Sequence, residues 1–164
     1  MSSIVFLHGL ESGPHGNKAA WLRARYGAFT PALDTTSFDA AVAGAAAALA
    51  EHRPRVVVGS SFGGAVATRL LLDGVWAGPT VLIAPAAHRV GLDAALPPGT
   101  RAIVIHGDAD DVIPLADSQS LVLGAGAGVE LWTIAGGDHR LNRILEDGTL
   151  ELALEKLGVP ITLA

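Results

Sequence analysis

The chain contains no cysteine. That excludes disulfides, cysteine nucleophiles and Cys-ligated zinc. No run of Lys and Arg occurs, and the formal net charge is −5. A nucleic-acid partner needs a basic stripe, so none is expected. Long apolar runs are also missing: the longest, Ala40–Ala50, is mostly Ala and too short to span a bilayer. The opening MSSIVFLHGL lacks a basic n-region, and its apolar run is shorter than a signal-peptide core. The expectation is a soluble cytoplasmic protein with no membrane partner.

What is present suits a globular enzyme. With 164 residues, half of them apolar, the chain can bury one substantial core without a metal or disulfide staple. A single domain over residues 1–164 is expected. Short β-branched runs at Ser3–His8, Arg55–Gly59, Thr80–Ala84, Arg101–His106 and Val129–Ala135 read as strands, with a weaker one at Phe29–Leu33. They are continuous rather than alternating, as in parallel strands covered on both faces. Helices are expected at Lys18–Tyr26, Asp39–His52, Phe62–Leu72, Leu115–Leu123 and Thr149–Leu157. Asp39 is a plausible N-cap, and Gly158 closes the last helix before Pro160. Strand–helix alternation implies a three-layer α/β domain on a mostly parallel sheet. The Ala-rich helix means either close packing on the sheet or compositional bias. No segment is long enough for a separate cap domain, so an open site is expected. His88–Gly99 and Gly124–Gly128 are the expected flexible connections.

The chemistry is concentrated at strand ends. Strand Arg55–Val58 runs into Gly59-Ser60-Ser61-Phe62-Gly63-Gly64 and then a helix, which is G-x-S-x-G in its strand–turn–helix setting. The turn is too sharp for side chains two positions either side of the serine. Only Ser61, not Ser60, has glycine at both positions. A tetrahedral acyl intermediate also needs two preorganised N–H donors. Phe62 N–H, just after the nucleophile, and Leu10 N–H, in the loop after the first strand, are the candidates. His8 more naturally fixes that loop than performs chemistry.

In this kind of site an acid and then a histidine follow the serine in the chain. The fourth strand leads into Gly107-Asp108-Ala109-Asp110-Asp111, and the fifth into Gly136-Gly137-Asp138-His139. His139 is the candidate base for Ser61. Asp108, Asp110 and Asp111 compete for the acid role, with Asp110 favoured and the others left to cap the turn or the next helix. His15 and His52 read as surface residues. His88 has two options, the surface or the acyl pocket.

Several alternatives fail on spacing. An EF-hand loop begun at Asp108 would need Gly and Glu where Ile113 and Gln119 stand. His139 lacks a second histidine at zinc-ligand spacing. Residues 9–18 break both the Walker A and the dinucleotide patterns. No metal and no cofactor are implied.

The block Leu7-His8-Gly9-Leu10-Glu11-Ser12-Gly13-Pro14, with Lys18-Ala19 beyond it, resembles the opening of the small YqiA-type esterases of the α/β-hydrolase superfamily. The serine elbow, His106–Asp110 and Gly137-Asp138-His139-Arg140 resemble the remaining signatures in order. Glu11 and Gly13 depart from what that family often carries. The resemblance implies a compact, capless α/β-hydrolase fold. It also implies a triad acid three residues past the loop glycine, which is Asp110, and esterase action on small acyl esters or thioesters. The competing reading is a non-catalytic binding protein on the same scaffold. Such proteins usually lose a triad member, and none is missing here. Neither oligomeric state nor physiological substrate follows from the sequence.

Overall fold

Each strand of the sheet divides its side chains between two cores. Ile4 and Phe6 face one layer, while Val5 and Leu7 face the other. Val56 and Val58 split from Val57, and Ile103 and Ile105 from Ala102 and Val104, in the same way. This is the two-residue period of a strand buried on both sides. It explains why the sequence shows continuous apolar runs there.

The computed structural model describes residues 2–160. Its sheet contains β1 (Ile4–Leu7), β2 (Val56–Ser60), β3 (Thr80–Ile83), β4 (Ala102–Gly107) and β5 (Val129–Ile134). They lie side by side in chain order and every pair is parallel. Helices α1 (Asn17–Tyr26) and α5 (Thr149–Lys156) bury Leu22, Leu150 and Leu154 against one face. Helices α2 (Phe38–His52), α3 (Phe62–Leu72) and α4 (Leu115–Val122) bury Leu49, Leu70 and Leu121 against the other. Each such Leu contributes about 1.5–3 kcal/mol on leaving water. The expected three-layer α/β architecture is therefore present. No described helix is long and apolar enough to cross a membrane.

Helix α2 resolves the question about its alanines. Ala41, Ala45 and Ala48 form a buried stripe one turn apart, whereas Ala40, Ala43, Ala47 and Ala50 face solvent. Close packing accounts for the first group only.

Three local expectations are corrected. The N-cap of α2 is Ser37, not Asp39: Ser37 is extended (φ −140°) and its Oγ accepts from Ala40 N–H at 3.2 Å. Asp39 sits inside the first turn. Phe29–Leu33 is not a strand. Phe29 alone bridges to Val5 at the outer edge of β1, and the chain then leaves the sheet. The stretch His88–Gly99 is not simply an open loop, since a 3-10 turn spans Ala87–Val90 and Leu96 is buried with its N–H on the Leu121 carbonyl. Gly158, in the left-handed region at φ 89°, does follow α5 as expected.

Candidate active site

The elbow is made by close approach of backbone. A Cβ on Gly59 would lie 2.5 Å from the Gly63 carbonyl oxygen, and one on Gly63 would lie 1.9 Å from that of Leu7. The second glycine is thus required by β1 rather than by Gly59, which refines the simple picture of two mutually colliding side chains. Between them Ser61 adopts φ 53°, ψ −114°, a conformation costing about 1–3 kcal/mol in a non-glycine residue. Its own backbone is pinned on both sides. Ser61 N–H donates to the Ile83 carbonyl at 2.9 Å, and its carbonyl accepts from Ala65 and Ala86 N–H, each at 3.0 Å. Ser60 occupies the last position of β2 instead.

Ser61 Oγ lies 3.0 Å from His139 Nε2, and His139 Nδ1 lies 2.8 Å from Asp110 Oδ2. A carboxylate only accepts, so Nδ1 carries the proton and the Nε2 lone pair faces the hydroxyl. The structure thus brings together Ser61, His139 and Asp110, groups distant in the chain. The two loops that supply the acid and the histidine are fitted to each other at Gly107, where a Cβ would sit 2.0 Å from the Gly137 carbonyl oxygen. Ala109 N–H donates to that same carbonyl at 3.0 Å, and Asp108 Oδ1 accepts from Gly136 N–H at 2.6 Å.

Asp110 does more than face histidine. Its Oδ1 accepts from the N–H groups of Val112 (2.9 Å) and Ile113 (2.8 Å), closing the turn that Asp108 and Asp111 were expected to cap. Helix α4 has no side-chain N-cap at all, since Pro114 stands there. Burial alone would raise the Asp110 carboxyl, but the Ile113 and Val112 N–H groups and the His139 ring outweigh it and hold the carboxyl below its ordinary range. Asp138, next to His139, turns away: its Oδ1 accepts from Leu141 N–H at 2.9 Å.

His106 enters the sequence reading only as the first residue of the His106–Asp110 signature, with no role of its own. It is fully buried at an inward position of β4. Its Nε2 lies 2.8 Å from the Ile113 carbonyl oxygen and 3.2 Å from Asp110 Oδ2, so it carries a proton shared between them. Its Nδ1 meets Ser118 Oγ at 2.6 Å. The available signal was a polar residue on the core face of an apolar strand, four positions before the acid.

The candidate Leu10 and Phe62 N–H groups belong to segments that adjoin Ser61. A Cβ on Gly9 would lie 3.4 Å from Ser61 Cβ, so the loop carrying Leu10 runs beside the serine. Phe62 opens α3, where a first-turn N–H has no helical partner. Among the described residues neither N–H donates to another backbone group. His8 fixes this loop as expected: its Nε2 accepts from Leu33 N–H at 2.9 Å, which leaves Nδ1 to donate to the Gly9 carbonyl at 2.7 Å.

A cavity of about 400 Å³ opens at Ser61 and His139, walled by Phe6, Leu10, Lys18, Val112 and Arg140 among others. Leu10 is 57% exposed at its mouth. His88 does not line it; it faces Asp93 and Asp117 instead. Among the described residues no cluster of three or more His, Asp or Glu could hold a metal ion.

Comparisons with known proteins agree with this architecture. The model of a family described as "Uncharacterised protein family (UPF0227)" matches residues 3–92, which include Leu10 and Ser61 and stop before Asp110 and His139. No curated protein sequence matches. Among solved structures, a candidate hydrolase of the alpha/beta superfamily from Xanthomonas campestris pv. campestris is 23% identical, with TM-score 0.68, over 96% of this chain and 100% of that one. A candidate hydrolase from Agrobacterium vitis is 21% identical, with TM-score 0.73, over 94% and 87%. An alpha-beta serine hydrolase homologue from Coxiella burnetii is 17% identical, with TM-score 0.70, over 94% and 84%. At these identities the likeness is one of fold.

Proposed function

The chain belongs to the uncharacterised protein family UPF0227, and from its α/β-hydrolase fold and the groups around Ser61 we propose that it is a serine esterase acting on small carboxylic esters or thioesters. The observation that carries this reading is the unbroken hydrogen-bonded series from Ser61 through His139 to Asp110. The described residues surround one sheet with no additional cap, which supports one hydrolase domain over residues 1–164.

The chemistry follows from the positions of the protons. Ser61 Oγ attacks the acyl carbonyl carbon while His139 Nε2 takes the hydroxyl proton. The imidazolium that forms is stabilised by the Asp110 carboxylate, which stays ionised because its N–H partners favour the charged form. The carbonyl π electrons move to oxygen, and the resulting oxyanion sits between the Leu10 and Phe62 N–H groups. Collapse of the intermediate breaks the C–O or C–S bond. The leaving alkoxide or thiolate receives the proton from His139, and the acyl group stays on Ser61. Water then repeats the sequence: His139 takes its proton, hydroxide adds to the acyl carbon, and Ser61 leaves with that proton as the acid departs. Every group required is a side chain or backbone N–H of this chain, so no cofactor or metal enters the scheme.

The test is turnover of para-nitrophenyl butyrate and of a matched S-butyryl thioester, with intact-mass detection of an acyl adduct on Ser61. Turnover by the wild type and its loss in Ser61→Ala is the expected result. Ligand binding without turnover by the wild type would favour a binding protein instead. Dialysis against EDTA should leave the rate unchanged, and activity that returned only with zinc or calcium would contradict the scheme.

A further inference from the structure

Lysine side chains normally keep their ammonium in water. Lys18 does not. It stands in the first turn of α1 and forms part of the wall of the cavity that holds Ser61 and His139. Its Nζ donates to the Arg140 carbonyl, which ties α1 to the loop carrying His139. Among the described residues it makes no ion pair and no other hydrogen bond, so two of its three N–H donors have no partner within the protein. The Arg140 side chain is in the same wall and is likewise without an ion pair there. The chain as a whole carries a net charge of −5, yet the wall of this cavity sets Lys18 and Arg140 against one carboxylate, Glu11. A half-desolvated cation facing a cavity, with a second cation beside it, favours an anionic partner there.

We propose that the Lys18 ammonium anchors a carboxylate carried by the substrate, so that the site selects small esters or thioesters bearing an anionic group over plain alkanoyl esters. This rests on the serine-esterase reading of Ser61. The carboxylate belongs either to the acyl part or to the leaving group, and the chemistry of recognition is the same for both. Leu10 and Val112 supply apolar wall for the remaining carbons.

Burial lowers the Lys18 pKa to about 8, with Asp138 opposing that shift and Arg140 adding to it. Glu11 and His139 also face the cavity. The ammonium is therefore the main form below about pH 8 and is lost above it. Selection for an anion should fade in that direction.

The experiment uses the full chain and two matched ester pairs. On the acyl side, para-nitrophenyl hydrogen glutarate is compared with para-nitrophenyl valerate. On the leaving-group side, para-acetoxybenzoate is compared with para-acetoxybenzamide. In one pair the anionic member should be favoured in kcat/KM by about tenfold or more near neutral pH, the worth of a charge-assisted hydrogen bond. In Lys18→Met that ratio should collapse toward one, and in Lys18→Arg much of it should return. Between about pH 7.5 and 9.5 the wild-type ratio should fall while that of Lys18→Arg holds, because arginine stays protonated. A ratio cancels everything the two members share, including the His139 step. If Lys18 only braced the loop, both members would slow equally. No preference in either pair, or a preference that survives Lys18→Met, overturns the proposal. A second readout separates it from the catalytic reading. Ser61→Ala is titrated calorimetrically with monomethyl glutarate and para-acetoxybenzoate, alone and combined with Lys18→Met. Lysine-dependent binding with no acylation of wild-type Ser61 keeps the anion site and removes the esterase. Acylation without lysine-dependent selection does the reverse.

Discussion

The two sides of Ser61 are built differently. On the acid–base side nearly every polar group is bonded within the protein, whether buried like His106 or exposed like Asp108: Asp110 to Val112, Ile113 and His139, His106 to Ile113 and Ser118, Asp108 to Gly136. On the opposite side, the loop after β1 and the start of α1 leave Leu10 and Glu11 exposed and Lys18 with a single partner within the described chain. One side is fixed before a substrate arrives, as preorganised catalysis requires. The other is completed by the substrate. Substitutions on the first side should therefore change kcat, and substitutions on the second should change which ester is accepted.

The largest expected effect is at the junction of the two sides. Ser61→Ala should fold normally and retain only about 10³–10⁴-fold catalysis over water, the remainder left by the backbone donors and binding. Circular dichroism and ester turnover together check this. Next is Asp110→Asn, which keeps the shape but removes the charge and can favour the wrong His139 tautomer. A loss in kcat of about 10²-fold or more is expected, while Asp108→Asn and Asp111→Asn stay within about tenfold of wild type. A dead Asp108→Asn beside an active Asp110→Asn would break the comparison, because the bonded side would then be organised about the wrong acid.

His106→Asn should be milder. It removes the proton shared between the Ile113 carbonyl and Asp110, so Asp110 loses part of its support without losing His139. About a tenfold fall in kcat with little change in KM is expected, since His106 touches no substrate. A change confined to KM would place His106 on the substrate side. Val112→Ala, at the cavity wall, should instead raise KM about threefold for longer acyl chains and spare kcat.

The smallest effect is one of stability. The Asp110 carboxyl lies below its ordinary value of 3.8 in the folded state. A depressed acid contributes stability that is present above its unfolded pKa and lost as pH falls through the folded one. Wild type should therefore exceed Asp110→Asn in Tm at about pH 6, and the gap should close on acidification below about pH 4. A gap that widens in acid would contradict the direction of the shift.

The same contrast decided what the sequence could disclose. Strand positions were legible to within a residue or so because burial on both faces leaves an uninterrupted apolar run. The isolated Phe29 bridge looked similar and did not continue. The elbow could be recognised because Gly59 and Gly63 answer to backbone contacts that permit no side chain. The order of Ser61, Asp110 and His139 was visible as well, each just past a strand end. Three short 3-10 turns escaped because three or four residues carry no period. Ser37 was missed as a cap because Asp39 is an equally good capping type two residues later, and only the backbone angle separates them. His106 and Lys18 escaped for another reason. Their roles depend on what crosses from distant segments, namely Ile113 and Ser118 for one and Arg140 for the other.

The central claim is that Ser61 is the activated nucleophile, and fluorophosphonate labelling followed by peptide mass spectrometry tests it most directly. A strained elbow serine with a histidine at its hydroxyl should take up one phosphonyl group, on the peptide containing Ser61, and His139→Ala should abolish the reaction. An adduct on Ser60 or Ser12, or none on the folded protein, would contradict the account.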